Sequence, residues 1–111
     1  MKKVLFILLF IIPSFLHAGE TTRPPELWSW IKDLDKSKEA CEIQSSFILQ
    51  SINLENQDET KYGIYGNVKS NRVVVKCIRI TENTSKLLVA VAGHNRDSVE
   101  LLRNHIVKAI N

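Results

Sequence analysis

The sequence predicts a small two-layer α+β domain: an N-terminal helix, a three- or four-stranded antiparallel sheet, a C-terminal helix and one disulfide. Three observations lead there. The chain has 111 residues, 44% of them hydrophobic and 24% charged, which is the size and balance of one globular domain and excludes collagen-like, coiled-coil and disordered classes. Two stretches with helical apolar spacing flank a middle rich in Val and Ile. The β segments between them are joined by connections too short for a parallel crossover, so they pair antiparallel.

The first element is a targeting segment. Lys2 and Lys3 precede an unbroken apolar run from Val4 to Ile12, and Ala18 and Gly19 follow. A basic start, a short apolar stretch and a small residue make a secretory signal. The apolar run is shorter than the roughly 20 residues that span a bilayer, and no Cys stands nearby to carry a lipid. Residues 1–18 therefore read as a signal peptide cleaved after Ala18, leaving 19–111 as one domain with an ordered core over about 25–110. Cleavage removes two lysines from 15 Lys and Arg against 12 Asp and Glu, so the formal charge falls from +3 to +1. The remaining cations are scattered among acids, so no nucleic-acid partner is expected, nor stable membrane insertion after cleavage.

Pro24-Pro25 sets the next start. Leu27, Trp30, Ile31 and Leu34 fall at i, i+3, i+4, i+7, which predicts a helix over about 25–38. From Cys41 to Leu54 the pattern is ambiguous: Cys41, Ile43, Phe47 and Leu49 alternate as in a strand, while Ala40, Ile43 and Phe47 fit a continued helix. A strand over about 46–55 is the reading adopted, with polar Asn56 to Lys61 as a turn. Tyr62–Val68 and Arg72–Ile80, separated by Lys69-Ser70-Asn71, predict a β-hairpin. Val73, Val75 and Cys77 share its core face, and Val74, Ile78 and Ile80 lie on the other with Arg72 and Lys76. Asn83-Thr84-Ser85 matches a glycosylation sequon by chance in what has the form of a bacterial export signal. Leu87–Ala92 is apolar on both faces, as an inner strand is, and Gly93 ends it. Asp97 with Glu100 resembles a capping box, Asn95 is the alternative cap, and Val99, Leu102, Ile106, Ala109 and Ile110 form one stripe of the last helix.

Cys41 and Cys77 are the two cysteines. An even count in an exported chain predicts a disulfide. It closes a loop of about 37 residues, for which chain entropy gives about 3.8 kcal/mol.

The inventory for chemistry is thin. His94 and His105 stand 11 apart without a metal-ligand pattern, Ser70 and Ser98 lack a nucleophile elbow, and Gly63, Gly66 and Gly93 form no phosphate loop. No catalytic residue, metal or cofactor is expected. Two candidate sites remain. Gly93, His94, Asn95 and Arg96 join a strand to a helix N-terminus, where free N–H groups favour an anion, although Asp97 opposes one. Trp28, Tyr62 and Tyr65, beside the half-apolar outer face of Arg72–Ile80, form a candidate interface, with a place in the core as the alternative for each. The expected function is a non-catalytic module, periplasmic or secreted, that binds another envelope or extracellular protein. The alternative is an exported small-ligand or anion binder, or an enzyme, using residues 93–97.

Overall fold

A computed structural model describes residues 23–111; the signal-peptide reading over 1–18 lies outside them. The domain is α+β, in the order β1 (Glu26–Leu34), α1 (Lys38–Ser51), β2 (Glu55–Thr60), β3 (Gly63–Val68), β4 (Asn71–Arg79), β5 (Ser85–Gly93) and α2 (Arg96–Ala109). The strands form one antiparallel sheet in the order β1-β5-β4-β3-β2. Both helices cover the same face, with α1 over β4 and β5 and α2 over β5 and β1.

Two elements exchange type relative to the sequence expectation. Residues 25–38, expected as a helix, hold β1, which pairs with β5 along its whole length from Glu26↔Gly93 to Leu34↔Ser85. The helical spacing misleads because β1 is apolar on both faces, and such a run satisfies periods 2 and 3.6 together. Aromatic and β-branched residues at 28, 30 and 31 favour the pleated alternative.

Of residues 46–55, expected as a strand, 46–51 continue α1, 52–54 turn the chain and Glu55 opens β2. Ser37 caps that helix, its Oγ accepting from Ala40 N at 3.1 Å. Asn53, at φ +62°, ends it: Leu54 N donates to Leu49 O and Asn53 N to Gln50 O, the paired bonds of a Schellman motif. The core side of α1 is Cys41, Ser45 and Leu49, so Ile43 and Phe47 point to solvent, 60% and 67% exposed. Leu54 then folds over Gly66, where a Cβ would lie 2.5 Å from the leucine side chain.

The sheet has five strands rather than three or four. The extra ones are β1 and β2, the latter a wholly polar edge strand with an irregular register between Glu55 and Asp58. Polar composition hides it, because neither face of this edge enters the core. The hairpin of β3 and β4 forms as expected, with Val73, Val75 and Cys77 buried. β5 is flanked by β1 and β4 and is the inner strand its double-sided apolar pattern predicts. Its Leu87, Val89 and Val91 meet Val99 and Ile106 of α2, and Ile110 just beyond it, in a single core. Asn95, not Asp97, is the N-cap of α2, its Oδ1 accepting from Ser98 N at 2.9 Å.

Candidate functional site

The predicted disulfide is present. Cys41 in the first turn of α1 bonds Cys77 on β4 across a Cα–Cα distance of 6.0 Å. Both are buried, and the hydroxyl of fully buried Ser45 lies 3.6 Å from Cys77 Sγ. With no free cysteine among the described residues, the bridge is a core staple between a helix and the sheet.

At the strand–helix turn, each of the four candidate residues has a defined setting. Gly93 packs against the side chain of buried Asn71, and a Cβ there would lie 2.1 Å from Asn71 Oδ1. Asn71 Nδ2 donates to Ser98 Oγ at 2.9 Å, while its Oδ1 is buried without a hydrogen-bond partner. Asn95 spends its side chain on the cap. His94 is exposed. The Arg96 guanidinium lies 5.5 Å from the Trp28 ring centre.

The three candidate interface aromatics are not brought together. Trp28 sits on the helix side of β1, half-buried, with Nε1 donating to Glu26 Oε1 at 3.1 Å. Tyr65 pairs with Val74 on the opposite face of the sheet. Tyr62 is exposed in the β2–β3 turn, with Lys61 and Lys76 ammonium groups 5.3 and 5.8 Å from its ring.

What surrounds Trp28 is a group the sequence did not announce. Arg96 and Arg103 lie seven residues apart on α2, hence on one flank of the helix, and both face β1. The Arg103 guanidinium is 5.3 Å from the Trp28 ring and 5.2 Å from the Trp30 ring. The resulting order, Arg96–Trp28–Arg103–Trp30, alternates cations and indoles, each contact contributing about 0.5–1 kcal/mol when exposed. Arg103 Nη1 also donates to Ser29 O at 2.7 Å and Lys32 Nζ to Val107 O at 2.6 Å, pinning α2 against β1. Beyond Trp30, itself 51% exposed, a hollow of about 360 Å³ is lined by Trp30, Lys32, Arg103, Asn104, Val107 and Lys108. Among the described residues the ion pairs are Lys38–Glu42, Arg79–Glu39 and Lys86–Asp33, so none of the four cations on this flank is ion-paired. The acids on the same stretch are Glu26, engaged by Trp28, and half-buried Glu100 between the two arginines.

A second hollow, about 470 Å³, opens between α1 and the β2–β3 edge. Lys38, Glu42, Glu59, Lys61 and Arg79 line it, cations and carboxylates together, without His, Ser or a free thiol. Glu39 nearby is held below the ordinary glutamate range, first by its backbone hydrogen bond and then by Arg79. Among the described residues no group of His, Cys, Asp and Glu is arranged to hold a metal, and no helix is long and apolar enough to cross a membrane. Trp30, Lys32, Arg103 and Lys108 escaped the sequence reading because a helical β1 separates Trp28 from Trp30; the one available signal was the Arg96–Arg103 spacing. Comparisons with protein-family models, with curated proteins and with solved structures give no match for this chain.

Proposed function

We propose that the protein is a small exported, non-catalytic binding module that docks another envelope or extracellular protein through the β1–α2 flank. The observation that carries this reading is the stack Arg96–Trp28–Arg103–Trp30, with Lys32 and Lys108 beside it and, among the described residues, no ion pair on any of the four cations. Trp and Arg anchor interfaces because they bury large area and supply directed donors at small conformational cost. Unpaired cations around a half-exposed indole favour a partner whose contact surface is acidic. Export agrees with the signal-like residues 1–18 and with a buried disulfide, which persists in oxidising compartments.

The test is affinity capture of the tagged protein from cross-linked native envelope, read by mass spectrometry against an untagged control. One stoichiometric partner is expected, lost with Trp30→Ala and with Arg103→Glu, each lowering affinity by at least about thirtyfold as interface anchors do. Trp30 is exposed enough for its truncation to leave the fold intact. A clean capture without a partner, or a partner retained by both variants, overturns the reading.

A further inference from the structure

The sheet has a second face that no helix of the described residues covers. Register places Leu27 and Ile31 of β1, Leu88, Ala90 and Ala92 of β5, and Val74 and Ile78 of β4 on it, side by side across three adjacent strands. Tyr65 extends the set onto β3. Leu27 and Ile31 are 70% and 59% exposed. Two polar residues stand within the patch, Ser29 between Leu27 and Ile31 and Lys76 between Val74 and Ile78, the Lys76 ammonium lying 5.8 Å from the Tyr62 ring. Asp33 and Lys86, which pair with each other, bound it at one end, and Arg72 and Asn67 at the other. An inner strand that is apolar on its open side is unusual for a solvated antiparallel face, which normally alternates to polar.

We infer that this face is closed by a second copy of the chain, two sheets meeting back to back with the helices outside. Area is the first argument. The four strands that carry the patch, of nine, nine, nine and six residues, at about 3.3 Å per residue and about 4.8 Å between strands, give a face of about 520 Å². Two such faces bury about 1,050 Å², which clears the roughly 1,000 Å² that a biological interface needs. Shape is the second. The patch is centred on β5, whose Ala90 and Ala92 project least, while Leu27, Ile31, Val74 and Ile78 rise on either side of it. Facing sheets pack by interdigitation about 10 Å apart, and a small-residue centre with larger flanks lets two identical surfaces interlock about a two-fold axis. The third argument is that the Arg96–Trp28–Arg103–Trp30 stack lies on the helix side of β1, so a dimer of this form leaves it free.

The experiment is sedimentation equilibrium on protein with the Cys41–Cys77 bridge intact, over a wide concentration range. A dimer is expected. Leu27→Thr with Ile31→Thr, at positions exposed in the single chain, is expected to raise the dissociation constant by about a hundredfold, because an isologous interface loses each side chain twice. Ala90→Asp, at the patch centre, is expected to give a monomer with an unchanged far-UV spectrum. A wild-type monomer at every concentration up to about 1 mM overturns the inference, whether or not that monomer binds lipid vesicles or captures another protein through this face. A dimer untouched by the Leu27/Ile31 pair overturns it equally, and that readout does not depend on how well Ala90→Asp folds.

Discussion

Replacing Cys41 and Cys77 together by Ala tests how far the staple supports the fold. The two lie 36 residues apart in sequence, so the oxidised unfolded chain carries a closed loop whose lost entropy corresponds to about 3.8 kcal/mol at 25 °C. Both side chains are buried, and removing two sulfurs from packed sites adds about 1–2 kcal/mol. The combined loss approaches the lower end of the stability of a small domain, about 5–15 kcal/mol. Reduction alone removes the first contribution, which at about 4–8 °C per kcal/mol for a chain of this size lowers the melting midpoint by about 15–30 °C. The loss falls unevenly. α1 turns Ile43 and Phe47 to water and buries only Cys41, Ser45 and Leu49, so its attachment to the sheet leans on the bridge more than that of α2. Far-UV melts with and without a phosphine reductant give the midpoint, and amide exchange shows whether α1 opens before β4 and β5. Two titratable thiols before reduction, or a midpoint that moves by less than about 5 °C, refutes the staple.

Three further outcomes follow from local geometry. Gly93→Ala places a methyl 2.1 Å from Asn71 Oδ1 and 3.0 Å from Val99 Cγ2, and should cost about 1–3 kcal/mol in urea unfolding; in an Asn71→Ala background most of that penalty disappears, a coupling a double-mutant cycle measures. Asn95→Ala removes the α2 cap and costs about 1 kcal/mol, whereas Asp97→Ala loses only a helix-dipole contribution of about 0.5 kcal/mol. Glu39 is held below its ordinary value of 4.5 by its backbone hydrogen bond and by Arg79, so its contribution is complete above that value and is lost as pH falls through the lowered one. Carboxyl NMR titration should show the depressed midpoint, and Arg79→Gln should move it toward the ordinary range.

The sequence was most legible where one period dominates. The β3–β4 hairpin and α2 each show a single pattern, β5 is a short apolar run ended by Gly93, and the cysteine pair follows from its even count and the expected export. Legibility failed at β1 and α1 for opposite reasons. β1 is apolar on both faces because one faces the core and the other lies open, so its pattern carries no period. α1 has a weak one, since the polar Ser45 is at the centre of its buried side while Ile43 and Phe47 are outside. There the useful signals were punctuation, Ser37 before and Asn53 after, rather than hydrophobicity. The interface residues were half legible: Trp28 was named, but its neighbours Trp30 and Arg103 meet it only once β1 is extended and α2 lies across it.

The alternation of β1 gives a way to separate the two surfaces assigned to it. Neighbouring residues of a strand point to opposite faces, so Trp30 belongs to the helix-side stack and Ile31, one position on, to the open face; both are exposed, at 51% and 59%. Trp30→Ala should therefore weaken partner capture by about thirtyfold and leave the monomer–dimer equilibrium within about twofold of the parent. Ile31→Thr should do the reverse, raising the dimer dissociation constant by about tenfold while capture persists. The double variant should show both losses without coupling, because the two side chains have no shared contact across the strand. If Ile31→Thr abolished capture as well, partner binding would require the dimer, and the flank would act as a paired surface rather than two independent ones. If Trp30→Ala dissolved the dimer, the copies would instead meet along the β1 edge, and the back-to-back arrangement would be wrong.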